Sequence, residues 1–434
     1  MLVGVAREAI NPELGHSLCG YGFYPNTGVH DDISVTALFL DDGSRQAILL
    51  SYDLIGLRAG TLATIRRSVS QATGVPIGHI FGSCTHVHSA PECVTHWVSE
   101  EPESKERYKH QDYLDRLEAW SVKAAVAAKA GGEDCDLRYN FAYADENMNR
   151  RYNFPDRRFL YIPDNKQLLG TSKEYVDREL GIVAFRHKGS RNRYKAVLTN
   201  YTSHPLCVGN SSNLVSADFQ GVLRRRVEET FADCLCVSTT GAAGDNHPMM
   251  PEGGFATADA MGTALGRLAI ARCYDAVTVD YDTQLRLAYP EVMLPWKDQA
   301  TLQMLPEKGA RERDMSWIPK NTAGLTSYVS LLGIGPVLLA GFPGEVVAEL
   351  GAMLKWSSPF LKSYVLFTST DCFGYFPTVN QFYWGGYEAN STIFARGTGE
   401  MLVRKVVESA GQLLADQPLN MPAIDAPAAD GQAK

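Results

Sequence analysis

The chain has 434 residues, of which 45% are hydrophobic and 21% are charged, and its formal net charge is −8. This composition is typical of a globular protein and argues against a disordered or fibrous chain. No long run of Lys or Arg is present, so we expect binding neither to nucleic acid nor to an anionic membrane.

The nine cysteines are an odd number and show no CxxC spacing. This usage is typical of a reducing compartment. The N-terminus "MLVGVAREAINPELG" lacks the pattern of a signal peptide, and no run of about 18 apolar residues suggests a membrane span. We therefore expect a soluble cytoplasmic protein. The sequence leaves the oligomeric state open.

Strand-like and helix-like segments alternate along the chain. In order, the predicted strands are 34–40 and 46–57, which flank the turn "DDGS", then "HIFGSCTHVHS", "LGIVAFRH", "RYKAVLTNYTSHP", "GPVLLAGFPGE" and "SYVLFTST". The predicted helices are "TLATIRRSVSQATG", 112–132, "GVLRRRVEETFA", "ADAMGTALGRLAIARCYDAV" and "VVAELGAMLKW". This order predicts an α/β fold with mixed, largely antiparallel sheets and flanking helices.

The chain shows no internal repeat and no long linker, so we predict one catalytic domain over residues 1–415. Residues 416–434, rich in Pro, Ala and Asp, are predicted to form a flexible tail. Two polar stretches, 95–111 and 294–321, interrupt the pattern. We expect them to be surface insertions that border a site.

Two histidines stand one residue apart in "GSCTHVHSAP", within a predicted buried strand. Alternate residues of a strand point to the same side, so His86 and His88 are predicted to share a face. The following Ser-Ala-Pro ends the strand, and ligands of open α/β sheets often lie at such ends. One histidine alone would be read as structural, whereas two on one face favour a site. The HxH pattern itself is common to unrelated metal hydrolases.

Other polar residues also follow apolar strands. In each case a structural role is the simpler reading, but their coincidence favours a shared site. These residues are His204, Asp245 and His247 of "TTGAAGDNHP", Glu345 of "FPGE" and Tyr375 of "STDCFGYFP".

Several segments, in order, resemble those of one family. They are "GVAREAINP", "GVHDDISVTALFL", "ILLSYDLIGL", "GSCTHVHSAPE", "ENMNRR", "VDRELGIVAF", "SHPLCVGNSSNLVSADFQG", "TTGAAGDNHP", "FPGE" and "GYFPTVNQFYWGGYEANST". Together they resemble the catalytic domain of the neutral, non-lysosomal ceramidases and their smaller bacterial relatives. The resemblance covers nearly the whole chain and implies the fold of that domain.

The resemblance also implies roles for individual residues. The family's zinc ligands correspond to His86, His204, Glu345 and Tyr375. His88 corresponds to a histidine that transfers protons, and Arg150 to the arginine that holds the substrate carbonyl or its oxyanion. Asp245 and His247 stand in the family's catalytic turn. This set suits Zn²⁺, which favours imidazole and carboxylate ligands and activates water in catalytic sites.

The sequence departs from the family where His247 replaces a serine, and we expect no counterpart of the β-sandwich domain of larger ceramidases. We therefore expect zinc-dependent hydrolysis of a small soluble substrate, with an amide (N-acyl) bond as first choice, rather than of long-chain ceramide. A lactone or ester hydrolase, a two-metal hydrolase in which Asp245 or His247 holds the second ion, and a non-catalytic binding protein remain alternatives. Candidate pocket residues are Tyr21, Phe23, Tyr24, Trp97 and Trp384.

Overall fold

A computed structural model describes residues 1–20, 23–94, 110–153, 159–161, 174–298, 300–301 and 323–416. Tyr21, Trp97, most of both polar stretches and the tail beyond residue 416 lie outside the described residues. The division into a domain over 1–415 and a flexible tail therefore stays a prediction.

The strands, numbered β1 to β23 in chain order, are Leu2–Ala9, Gly28–Val29, Ser34–Asp41, Gln46–Tyr52, Ile80–Cys84, Glu133–Tyr143, Asn147–Asn149, Arg151–Asn153, Phe159–Tyr161, Glu179–His187, Tyr194–Tyr201, Leu214–Val215, Leu235–Thr240, Asn246–Pro248, Val277–Val279, Leu285–Ala288, Glu291–Pro295, Gly324–Tyr328, Ser330–Ile334, Val337–Gly341, Glu345–Val346, Lys362–Leu366 and Tyr375–Phe376. The helices, numbered α1 to α8, are Ala59–Thr73, His110–Ala130, Asp218–Thr230, Phe255–Tyr274, Ala348–Ser357, Val379–Trp384, Tyr387–Ser391 and Thr398–Leu414.

The larger sheet has the strand order β13-β11-β10-β6-β1-β3-β4-β5, and β15 pairs with β6. Its pairs are antiparallel except for β11 with β13 and β4 with β5, which are parallel. The two ends of this order also meet, because Ser51 Oγ of β4 donates to the carbonyl of Ser238 in β13 at 2.6 Å. The sheet therefore curls so that β13 lies beside β4 and β5.

A second sheet, β16-β19-β20-β22, packs on the first through a shared apolar layer that includes Leu38, Leu198, Leu332 and Leu339. Helices α1 and α2 cover one half of the first sheet on its other face, and α3 and α4 cover the other half. Helices α5 and α8 cover the second sheet. The result is two stacked sheets enclosed by helices.

Local sequence accounts for several of these elements. In β3, Val35 and Phe39 pack towards the helices, whereas Leu38 packs towards the second sheet, as the two-residue period of a strand requires. Helix α1 is followed by Gly74, whose φ of 74° is the left-handed conformation that glycine adopts without strain. These features confirm the predicted α/β fold with mixed, largely antiparallel sheets.

The structure describes all nine cysteines; they are buried, and none forms a disulfide. Among the described residues, no helix combines the length and apolar character needed to cross a bilayer.

Candidate metal centre

The predicted site residues follow strand ends that meet at one place. Thr240, the last residue of β13, donates its hydroxyl to the carbonyl of Thr85, which follows β5, at 2.7 Å. The amide of Phe367, just after β22, donates to the carbonyl of Thr240 at 3.1 Å. The loops that leave β5, β13 and β22 therefore start side by side, although they are distant in sequence.

His86 lies outside the strand that was predicted to carry it. Strand β5 ends at Cys84, and His86 has a φ of 68° in the left-handed region. Its amide donates to the carbonyl of Leu54 at 2.9 Å, and its Nδ1 lies 2.6 Å from the carbonyl oxygen of Ile55. The prediction that strand alternation pairs His86 with His88 was therefore wrong, because the chain turns before it reaches them.

His204 and Glu345 complete a compact group with His86. His204 follows β11 by three residues, and its Nδ1 lies 2.6 Å from the carbonyl oxygen of Ala243. Glu345, at the end of the predicted strand "GPVLLAGFPGE", begins the short strand β21, and helix α5 starts at Ala348. Glu345 Oε2 is 3.3 Å from His86 Nε2 and 3.4 Å from His204 Nε2.

The hydrogen bonds of the two histidines decide which ring atoms face Glu345. A carbonyl oxygen can only accept, so Nδ1 of His86 and of His204 must carry the proton. In a neutral ring, Nε2 then presents a lone pair to Glu345. His204 Nε2 and Glu345 Oε2 are buried and have no hydrogen-bond partner among the described residues. Acceptors buried face to face call for a cation between them.

Distances among these atoms fit a metal ion. When Zn–N and Zn–O bonds are about 2.0 to 2.2 Å, ligand atoms of a tetrahedral site lie about 3.3 to 3.6 Å apart. The two contacts of Glu345 Oε2, at 3.3 and 3.4 Å, fall in this range. The carbonyl bonds of the two histidines are also the outer contacts that usually orient metal-binding imidazoles. The residues present therefore fit zinc.

Burial and neighbouring groups tune the charges at this centre. Burial lowers the pKa of His204 to about 4, which keeps its imidazole neutral and able to bind a metal. Burial alone would raise the pKa of Glu345, but the adjacent His86 and His204 lower it well below its ordinary value. The centre therefore offers the neutral imidazole of His204 and the charged carboxylate of Glu345, both of which can bind zinc.

His88 lies beside this group. Its ring centroid is 5.3 Å from that of His86 and 5.8 Å from that of His204. One ligand atom from each of the three histidines can be chosen so that all lie within 4.8 Å of one another. Gly20, with a φ of 92°, packs directly on the ring, since a Cβ there would lie 2.5 Å from His88 Nδ1. This close contact explains the glycine and was not predicted.

Tyr375 is held next to Glu345 by strand pairing. Strands β21 and β23 are parallel, with Glu345 opposite Tyr375, and the amide of Glu345 donates to the carbonyl of Gly374 at 2.8 Å. Burial, and then the charge of Glu345, raises the pKa of Tyr375 well above its ordinary value. Its role as a fourth ligand stays a prediction.

Arg150 and His247 meet through a second strand pair. Strand β14, which contains His247, pairs with β7, which ends one residue before Arg150. The amide of Arg150 donates to the carbonyl of Asp245 at 2.9 Å. Arg150 Nη1 donates to His247 Nε2 at 2.7 Å, and the His247 ring is 5.0 Å from that of His204. Arg150 and His247 therefore lie beside the group formed by His86, His204 and Glu345.

Asp245 differs from the others because both carboxylate oxygens already accept hydrogen bonds. Oδ2 accepts from Asn149 Nδ2 at 2.9 Å and from Gln381 Nε2 at 2.8 Å. Oδ1 accepts from the amide of Ala348 at 2.9 Å and from Asn246 Nδ2 at 3.1 Å. This geometry argues against the expectations that Asp245 is catalytic or binds a second ion, and favours a bracing role.

The sequence interpretation missed two residues beside Arg150. Glu388 Oε1 accepts from Arg150 Nε at 2.7 Å, and the ring of Tyr387 lies 5.4 Å from the guanidinium carbon. Both belong to the segment "GGYEANST", in which a single acidic residue stands among glycines, small residues and an aromatic. An isolated carboxylate in such a segment is the sequence feature from which Glu388 could have been predicted as a site residue. Phe23, Tyr24 and Trp384 are half-buried, and their role in a pocket stays a prediction.

Known structures share this architecture. The crystal structure of neutral ceramidase from Pseudomonas aeruginosa matches with a TM-score of 0.76, covering 98% of this chain and 76% of that one at 13% sequence identity. The fold is that of a neutral ceramidase. A ceramidase complexed with C2 matches the same neutral-ceramidase-like fold with a TM-score of 0.75, covering 98% and 77% at 14% identity. No protein-family profile and no curated protein sequence matches the chain.

This similarity confirms the predicted resemblance to the neutral ceramidases at the level of the fold. A sequence identity of 13 to 14% shows the fold alone, so the chemistry must be argued from the residues of the centre itself.

Proposed function

We propose that this protein is a zinc-dependent hydrolase that cleaves an N-acyl (amide) bond of a small, soluble substrate. One observation carries the proposal: His204 Nε2 and Glu345 Oε2 are buried, 3.4 Å apart and without hydrogen-bond partners among the described residues. Two buried acceptors this close to each other are stabilised when a cation lies between them.

His86, His204 and Glu345 would hold the metal, with Tyr375 as the further ligand. Bound zinc would supply a Lewis acid for the scissile carbonyl and would lower the pKa of water towards about 7. His88, whose ring lies 5.3 Å from that of His86, would take the proton of the attacking water and pass it to the leaving nitrogen. Arg150 would donate hydrogen bonds to the carbonyl oxygen as negative charge develops there.

The choice of bond and of substrate size rests on the ceramidase-like fold and on one difference from that family. Ceramidases cleave an N-acyl bond, so an amide is the first candidate. Where ceramidases carry a serine, this chain carries His247, which is bonded to Arg150 at 2.7 Å. A change so close to the proposed carbonyl-binding arginine favours a substrate other than ceramide.

A screen of zinc-loaded and metal-free protein tests this proposal. It should include N-acetyl amino acids, short N-acyl amines, lactones and long-chain ceramide in micelles. We expect hydrolysis of at least one small amide, dependent on zinc, and little hydrolysis of ceramide. Faster cleavage of lactones would move the assignment to an ester bond. Binding without turnover across the whole screen, or ceramide hydrolysis as fast as that of the small substrates, would overturn the proposal.

A further inference from the structure

Arg150 is held between two side chains from distant parts of the sequence. Its Nε donates to Glu388 Oε1 at 2.7 Å, and its Nη1 donates to His247 Nε2 at 2.7 Å. Arg150 is 2% exposed, His247 1% and Glu388 0%. Two nitrogen atoms of the guanidinium are therefore hydrogen-bonded to protein side chains that are shielded from solvent.

The bond to His247 determines where that ring carries its proton. A guanidinium is charged at all relevant pH values and only donates hydrogen bonds, so His247 Nε2 must accept. The lone pair of Nε2 is then engaged by Arg150, and the ring proton must be on Nδ1. While this bond exists, Nε2 cannot take a proton from a substrate or from water.

Glu388 is itself anchored on the side away from Arg150. Its Oε2 accepts from Arg151 Nη1, and Arg151 Nη2 donates to the carbonyl of Gly385 at 2.7 Å. Arg151 is 0% exposed, so this carboxylate is shared by two buried guanidinium groups. Buried charges of this kind are stable only when they are paired and hydrogen-bonded, which holds all three side chains in one arrangement.

Two tyrosines border the same guanidinium. The rings of Tyr375 and Tyr387 each have their centroid 5.4 Å from the guanidinium carbon of Arg150. Bonded at Nε and Nη1 and flanked by these rings, Arg150 has little freedom to turn. Its direction relative to the metal centre is therefore set before a substrate arrives, as preorganised stabilisation of an oxyanion requires.

We propose that His247 and Glu388 are positioning residues that clamp Arg150, and that His247 acts as a neutral hydrogen-bond acceptor rather than as a proton carrier. This inference rests on the proposed function, in which Arg150 contacts the substrate carbonyl. The clamp also explains why a histidine stands at position 247. An imidazole extends further than a serine hydroxyl and reaches the guanidinium of Arg150.

The tautomer of His247 is the direct test, and it does not depend on activity. Zinc-loaded protein labelled with ¹⁵N-histidine would be studied by long-range ¹H–¹⁵N correlation, and the His247→Gln variant would assign the His247 signals by their loss. We expect protonated Nδ1 and unprotonated Nε2 at neutral pH, as the hydrogen bond from Arg150 requires. An imidazolium near neutral pH, or a proton on Nε2, would overturn the clamp.

Two substitutions of His247 distinguish a role as hydrogen-bond acceptor from a role as proton carrier. Gln at 247 keeps an oxygen that can accept from Arg150, whereas Leu does not. With 4′-nitroacetanilide and 4-nitrophenyl acetate as probes, we expect His247→Gln to keep kcat within about tenfold of wild type and His247→Leu to lose about 10²- to 10³-fold, the usual cost of an oxyanion donor. Equal losses in two folded variants would contradict the acceptor role.

A matched control and a stability check complete the experiment. His187, which pairs with Glu133 at the opposite end of the sheet, offers His187→Gln as a variant that should match wild type. Glu388→Gln is less suitable alone, because it removes the carboxylate that two buried guanidinium groups share and can unfold the chain. A wild type that hydrolyses neither probe would count against the proposed function, and the tautomer spectrum would then decide the clamp by itself.

Discussion

At the residue scale, two backbone carbonyls determine what the histidines of the centre can do. The carbonyl oxygens of Ile55 and Ala243, each 2.6 Å from an Nδ1 atom, orient His86 and His204 with Nε2 facing Glu345. Such carbonyl contacts fix both the tautomer and the direction of a metal-binding imidazole. Without these carbonyls the two imidazoles would lack a fixed tautomer and direction, so the neighbouring loops contribute to the metal site along with the ligands.

Removal of His88 should separate a proton carrier from a ligand. We expect His88→Ala to keep its zinc and to lose rate by about 10²- to 10⁴-fold in the chemical step, the usual contribution of general acid–base catalysis. His86→Ala should lose both zinc and rate, because its Nε2 lies 3.3 Å from Glu345 Oε2. Zinc content and single-turnover rates, measured on the same samples, distinguish the two variants.

Two results would change the assignment of His88. Loss of zinc from His88→Ala as complete as from His86→Ala would make His88 a ligand, which its place in the histidine cluster permits. Full activity of His88→Ala would make the second imidazole structural. His187→Ala, remote from the centre, should match wild type in both measurements.

At the element scale, helix α3 braces the loop that follows His204. The carboxylate of Asp218, the first residue of α3, accepts hydrogen bonds from the amides of Val208 at 2.8 Å and Phe219 at 2.7 Å. Asp218 has a φ of 54°, a left-handed conformation that Asp and Asn tolerate better than most residues. The helix start thus ties a buried carboxylate to the segment that carries a proposed ligand.

Asp218 should make stability depend on pH. Burial raises the pKa of Asp218 to about 6, above its value in the unfolded chain, so the folded state binds the proton more tightly. The stabilisation is present at low pH and is lost as pH rises through 6. Relative to Asp218→Asn, the wild type should lose about 1.4 kcal/mol of unfolding free energy between pH 5 and pH 8.

Urea unfolding at the two pH values measures this difference. Asp233→Asn is the matched control, because Asp233 also has a positive φ, of 63°, but its side chain is 76% exposed. We expect the control to follow the wild type. A pH dependence of Asp218→Asn equal to that of the wild type would show that the Asp218 carboxyl is not protonated preferentially in the folded state.

At the scale of the whole molecule, sequence patterns predicted local elements better than the contacts between them. The helix that precedes Gly74 and the hairpin of β3 and β4 follow from period and turn chemistry, and the resemblance to ceramidases predicted the fold. The turn at His86 was not predictable, because a positive φ at a histidine has no sequence signal and accompanies a hydrogen bond from its amide to Leu54, which is distant in sequence. The pairing of Arg150 with Glu388 joins residues 238 positions apart and depends on the assembled fold.

His86, His204 and Glu345 are proposed to hold one metal ion together. Zinc content per chain, measured by mass spectrometry of the metal after dialysis against a weak chelator, tests it most directly. We predict roughly one zinc per chain in the wild type and in His187→Ala, and loss of zinc in folded His204→Ala and Glu345→Ala, because each removes a donor of the tetrahedral set. Equal zinc in the wild type and both ligand variants would contradict the claim.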